Sequence, residues 1–186
     1  MKENVRSIIK TGVILLVIGF VCTLLLALCN DMTKDRIAML SANAEQEAMA
    51  STLPIADKFV KIQYEGSGVV TAVYEGKNAN KEVVGYCVKA EPIGYGGAIS
   101  MIVGVDIDGK VTGVDIVNMS ETPGLGAKAK EKSFTEKFIG KVAGIKVRKS
   151  GVPGDDEISA ISGATVTSKA VTSGVNAAIE AVENLR

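Results

Sequence analysis

Residues 12–29 (GVILLVIGFVCTLLLALC) carry no charge over 18 positions, and 15 of these are apolar. As a helix rising about 1.5 Å per residue, the run is roughly 27 Å long, close to the hydrocarbon thickness of a bilayer. The sequence therefore predicts one transmembrane helix, around which the rest of the chain must be arranged. Lys2, Arg6 and Lys10 precede the run with only Glu3 opposing them, whereas Lys34 and Arg36 behind it are matched by Asp31 and Asp35. Positive charge stays on the cytoplasmic side, so the expectation is a single pass through the cell (inner) membrane with a cytoplasmic N-terminus and an extracytoplasmic remainder. A cleaved signal peptide would have a shorter apolar region and a small-x-small cleavage site, and Leu28 before Cys29 departs from a lipoprotein signal. The helix is expected to remain as a permanent anchor.

Composition then narrows the chemistry. The chain has no histidine, which closes off Ser-His-Asp triads, Cys-His dyads, His-ligated zinc or haem and imidazole acid–base catalysis. Cys22, Cys29 and Cys87 are the only cysteines, without a Cys-x-x-Cys pair and too few for a protein-only iron–sulfur cluster. No metal site and no catalytic side chain of its own is expected. With 21 Lys+Arg against 21 Asp+Glu, the chain also lacks the basic excess of a nucleic-acid binder. Beyond residue 30 the balance is 18 basic minus 20 acidic, or −2. Any redox chemistry must be carried by a borrowed cofactor.

Residues 30–53 contain neither Gly nor Pro and are rich in Ala, Met, Glu and Lys, which predicts that the helix continues as a stalk with Met32, Ile37, Leu40, Ala44 and Ala48 on a weak apolar face and Pro54 ending it. Alternation then predicts strands over 59–64, 69–74 and 82–90, and a hairpin over 99–118 turning at Asp108-Gly109. Asp106 and Asp115 belong to a solvent-facing acidic surface of that hairpin rather than to a cation site. A short helix over 128–138, a strand over 142–148 and a loop over 149–157 follow. Val171, Val175, Ala178, Ile179 and Val182 recur at helical spacing and define a final helix. The fold class is α+β: 1–29 tip and transmembrane helix, 30–57 helical stalk or linker, and 58–186 one domain of antiparallel sheet flanked by helices.

Three short segments are dense enough in Gly and hydroxyl groups to hold a ligand. Ser162-Gly163-Ala164-Thr165-Val166-Thr167-Ser168 opens the final helix, whose first amides lack intrahelical partners and whose dipole favours an anion such as a phosphate. The plain alternative makes Thr167 or Ser168 an ordinary N-cap and the rest a turn. Glu121-Thr122-Pro123-Gly124-Leu125-Gly126 follows the hairpin, and Gly94-Tyr95-Gly96-Gly97 precedes it. Such glycines let backbone amides approach a flat or charged ligand, with a hydroxyl and an apolar side chain beside them. Neither pattern is a Walker motif or a dinucleotide fingerprint.

In this order, anchor helix, Gly-Tyr-Gly-Gly, Val-Gly-Val-Asp-x-Asp-Gly hairpin, Glu-Thr-Pro-Gly-Leu-Gly and Ser-Gly-Ala-Thr-x-Thr-Ser, the chain resembles the FMN-binding domain family, and within it the G subunits of Rnf-type ion-translocating ferredoxin:NAD⁺ oxidoreductases. The corresponding C subunit of the sodium-translocating NADH:quinone oxidoreductase is the nearest alternative, and a tethered scaffold without flavin is a further one. The resemblance implies an electron-carrying subunit with FMN attached covalently, as a phosphoester, to Thr165. It also implies a flavin transferase that installs the group from FAD, and membrane partners in a multi-subunit redox-driven ion pump. Ser162, Gly163, Ala164 and Thr167 would surround the attachment point, with Thr167 as the alternative acceptor. The isoalloxazine would lie against Thr122 and Leu125, with Glu121, Gly124 and Gly126 beside it. One position departs from the family pattern: Ser159 stands six residues before Thr165, where an Asp is common.

Overall fold

The computed structural model describes residues 2–64 and 68–186, with the side chains of 2–5, 7 and 8 outside the described set; those of Lys2 and Glu3, two of the orienting charges, fall there. The chain divides into two compact units, residues 1–43 and 44–186. A single helix, α1 (Lys2–Thr52), runs through the first unit and into the second. In the first unit its apolar residues are exposed on every side, with Leu15, Phe20 and Leu26 each about two-thirds accessible or more (64%, 66% and 71%). A helix apolar all round and uncovered by its own chain suits lipid rather than water. It is also long and apolar enough to cross a membrane, which fits a single-pass anchor.

The second unit is built on a five-stranded antiparallel sheet in sequential order: β1 (Lys58–Ile62), β2 (Val70–Lys77), β3 (Val83–Ala90), β4 (Ser100–Asp106) and β5 (Val111–Asn118). Alternation along the strands gives the sheet two apolar faces. Val88, Met101, Val103 and Ile116 join the cluster containing α3 (Thr165–Glu183), where Val171, Val175, Ala178, Ile179 and Val182 are fully buried as their spacing predicts. Cys87 and Ile102 point the other way, into a smaller cluster with Ala48, Met49 and Leu53. The last turns of α1, inside the expected stalk, are thus part of this unit's core.

Small residues make that docking possible. A Cβ on Gly104 would collide with the Thr52 carbonyl, and one on Gly113, its partner across β4 and β5, would lie 2.9 Å from Thr52 Cα. The Thr112 hydroxyl donates to the Thr52 carbonyl at 2.5 Å, the Ser51 hydroxyl donates to Asp115 at 3.1 Å, and Lys89 is ion-paired with Glu45. Asp115 is therefore committed to the helix end. Asp106 closes the β4–β5 turn, its Oδ1 accepting from the amides of Asp108 (2.9 Å) and Lys110 (2.8 Å).

The expected helix over 128–138 is broken: a 3₁₀ turn (Gly126–Lys130), the one-turn α2 (Lys132–Thr135) and a second 3₁₀ turn (Glu136–Phe138) replace it, because Glu131 is extended (φ −73°, ψ 141°). Phe134 and Phe138 still bury the segment, their rings edge to face at 5.5 Å. The strand expected over 142–148 shrinks to β6 (Lys146–Arg148), since Gly144 takes a left-handed φ of +91°. It pairs in parallel with β7 (Glu157–Ser159), which takes up the end of the expected loop.

Candidate functional site

The three glycine- and hydroxyl-rich segments, up to about 70 residues apart in sequence, converge at the N-terminus of α3. They enclose a cleft of about 530 Å³ lined by Tyr95, Glu121, Thr122, Leu125, Gly126, Gly163, Ala164, Thr165, Val166 and Thr167. Eight of the ten site residues expected from sequence line it. Ser162 and Gly124 are exposed and lie outside the lining. Tyr95 and Val166 are additions; the glycine cluster around Tyr95 was the signal for the first, and nothing in the pattern singles out Val166.

The helix starts earlier than either capping alternative allows. Ala164 occupies the N-cap without a side-chain cap bond, and Thr165 is the first helical residue. The two hydroxyls that could have capped it are used elsewhere. Ser168 Oγ donates to the Ala164 carbonyl (2.9 Å) and accepts from the Ile161 amide (3.0 Å), folding the preceding turn back onto the helix. The Thr167 hydroxyl, with its residue only 1% exposed, donates to Glu121 Oε2 at 3.0 Å. The amides of the first turn are left without a side-chain cap, and residues 164–167, at the positive end of the helix dipole, line the cleft.

Thr165 differs from Thr167 in this respect. It is half-buried, lines the cleft, and its hydroxyl has no hydrogen-bond partner among the described residues. A free hydroxyl beside uncapped amides is a sound place to join a phosphoryl group. Gly163 makes the turn before it with φ +76°, a left-handed conformation that an L side chain adopts only at a cost. Leu125 Cδ2 closes over this turn.

Glu121 ties the segments together. Its Oε1 accepts from the amides of Tyr95 (2.8 Å) and Gly96 (3.2 Å), while its Oε2 accepts from the Thr167 hydroxyl. Room for the carboxylate comes from missing side chains: a Cβ on Gly94 would strike Oε1, and one on Gly126 would strike Oε2 and approach Thr167 Oγ1 to 2.8 Å. Among the described residues that line the cleft, Glu121 is the only charged one. Thr122, Leu125, Val166 and Tyr95 supply exposed apolar and hydroxyl surface around the opening, with Tyr95 76% exposed. The cleft thus offers exposed apolar surface at its rim and three hydroxyls without a partner among the described residues, those of Tyr95, Thr122 and Thr165, of which only Thr165 stands at the start of α3, a donor set that fits a planar ring system bearing a phosphate.

The chain is similar to known proteins in sequence and in fold. The FMN-binding domain family model matches residues 94–180, a span that includes every cleft residue, and the RnfG N-terminal region model matches residues 1–52. The chain is 39% identical to the G subunit of the Na⁺-translocating ferredoxin:NAD⁺ oxidoreductase complex of Acetobacterium woodii, over 99% of this chain and 98% of that protein. It is 37% identical to the G subunit of the proton-translocating ferredoxin:NAD⁺ oxidoreductase complex of Clostridium ljungdahlii, over 88% and 85% of the two chains. In fold it is similar to the crystal structure of the C subunit of Na⁺-translocating NADH-quinone reductase from Parabacteroides distasonis, with a TM-score of 0.59 at 20% identity over 78% of this chain and 92% of that one.

Proposed function

The chain belongs to the family of G subunits of Rnf-type ion-translocating ferredoxin:NAD⁺ oxidoreductases, and on that premise we propose that it carries electrons through FMN joined covalently to Thr165. The observation that carries this reading is the contrast between two hydroxyls: that of Thr167 is buried and spent on Glu121, whereas that of Thr165 is unengaged in the cleft. When bound, FMN supplies one- and two-electron transfer, which explains how a chain without histidine can serve in a redox complex.

The chain's own residues would hold and orient the group: the uncapped first turn of α3 would receive its phosphate, and Leu125, Thr122 and Tyr95 would offer surface for its ring. No cationic side chain lines the cleft among the described residues, so ionic attraction alone would retain a free phosphate weakly. A covalent tether removes that problem. A flavin transferase would form the bond from Thr165 Oγ1 to the FMN phosphorus, breaking the pyrophosphate bond of FAD, with AMP leaving and the hydroxyl proton lost. Residues 1–29 would anchor the protein in the cell membrane with the N-terminus cytoplasmic, the stalk expected over 30–57 would have its end, from residue 44, docked on the domain, and 58–186 would carry the flavin outside, in contact with other membrane subunits of the complex.

Co-expression with a flavin transferase and ultraviolet illumination of a denaturing gel tests the reading. The wild-type band should fluoresce, Thr165→Ala should be dark, and Thr167→Ala should stay bright. A dark wild-type band sinks the covalent flavin, and the reverse pattern in the two variants moves it to Thr167.

A further inference from the structure

We propose that Glu121 is a positioning residue for the flavin, whose carboxylate clasps the glycine loop to helix α3 to assemble the cleft and whose charge lowers the potential of the group held there. The inference rests on the reading of the cleft as a flavin site, but half of it can be tested without flavin. Three segments meet at this one side chain. Oε1 gathers the Tyr95 and Gly96 amides and Oε2 the Thr167 hydroxyl, so that one half-buried carboxylate spans residues 95 and 167. Gly94 and Gly126 have no Cβ where its oxygens sit, so the surrounding backbone accommodates a carboxylate at this point.

Hydrogen bonds to a charged acceptor are stronger than neutral ones, and their loss frees the loop that carries Tyr95 at the cleft mouth. The second effect is electrostatic. With no cation among the described residues of the lining to offset it, the Glu121 carboxylate in this partly buried cleft would disfavour the extra electron density of a reduced flavin.

The full chain, with and without flavin, is compared as wild type, Glu121→Gln and Glu121→Ala. In the unloaded protein, the amides of Tyr95 and Gly96 should exchange hydrogen about ten-fold faster or more in Glu121→Ala, at the scale of a charge-assisted bond, and at a rate between wild type and Glu121→Ala in Glu121→Gln, which keeps a neutral oxygen acceptor. In the loaded protein, redox titration of Glu121→Gln should give a more positive midpoint potential than wild type. Unchanged exchange in Glu121→Ala overturns the clasp. An unchanged potential in Glu121→Gln overturns the electrostatic role, since a purely structural residue rescued in part by its amide leaves the potential alone. A wild type that takes no flavin overturns the flavin reading itself, while the exchange comparison still decides the clasp.

Discussion

Leu125 Cδ2 sits 3.0 Å from the point that a Cβ on Gly163 would occupy, so the loop after the hairpin and the turn before the final helix are in contact across 38 positions of sequence. The contact holds only while Gly163 keeps both its left-handed φ of +76° and its bare Cα. Gly163→Ala should lose about 1–2 kcal/mol from the backbone conformation alone. It should also lower flavin loading, because the added methyl pushes against the residue that closes the cleft. Chemical denaturation and in-gel fluorescence of the same preparation would measure both; full loading with unchanged stability would contradict the role assigned to this turn.

The attachment site should distinguish chemistry from shape. Thr165→Ser retains the hydroxyl and should remain fluorescent, while Thr165→Val, nearly isosteric, should be dark at unchanged stability. Thr167→Val should behave in the opposite way. Its flavin should stay attached, and its stability should fall by about 1–3 kcal/mol because the Glu121 carboxylate loses a buried donor.

The docking of the α1 end on the sheet is sensitive to a single methyl. At Gly104 the obstacle to a Cβ is the Thr52 backbone, which cannot rotate away as a side chain would. Gly104→Ala is expected to destabilise the domain by about 1–3 kcal/mol, the usual cost of overpacking. Limited proteolysis should then cut faster near residues 52–53, which are buried in the wild type. Absence of both effects would mean that the helix end is not held against this sheet.

Burial pushes the Cys87 thiol up from 9.0 to about 12, against a smaller lowering by the hydrogen bond with Thr52. The folded state therefore keeps a proton that the unfolded chain releases above about pH 9. The contribution of this group to stability is complete below about pH 9 and is lost progressively as pH rises toward about 12. The decline in melting temperature between about pH 8 and about pH 11 should accordingly be steeper in wild type than in Cys87→Ala. The thiol should also resist alkylating reagents until the protein unfolds.

Phe138 is fully buried and meets Phe134 edge to face. Phe138→Ala should cost about 3–5 kcal/mol by leaving a cavity beneath the segment that follows the Leu125 loop. A shift in denaturation midpoint much smaller than this would mean that the broken 126–138 segment is not anchored by its aromatic pair.

How much of this was legible in advance depends on whether the signal was local. The span of 12–29, the Asp108-Gly109 hairpin and the buried stripe from Val171 to Val182 all follow from spacing along one element, and each appears in the structure as the spacing predicts. The break at Glu131 and the shortening of β6 were not legible, because a one-residue change of backbone conformation leaves composition and periodicity almost untouched. Capping was misplaced for another reason. Thr167 and Ser168 are good caps in isolation, but the distant Glu121 takes the hydroxyl of Thr167, and that of Ser168 is spent on the Ala164 carbonyl and the Ile161 amide of the turn before the helix.

The sequence by itself determined the long apolar N-terminal helix, the α+β class, the lack of any imidazole and the three segments able to approach a ligand, since these depend on residue type and on spacing within a few turns. Tertiary structure alone decided which hydroxyl stays free, because a Glu 46 residues away claims Thr167 and leaves Thr165 unengaged. It also decided that Glu121 joins two loops and a helix, and that the helix end beyond residue 44 belongs to the folded domain. Those outcomes rest on contacts between residues distant in sequence, whose closeness is set by how the sheet and helices pack.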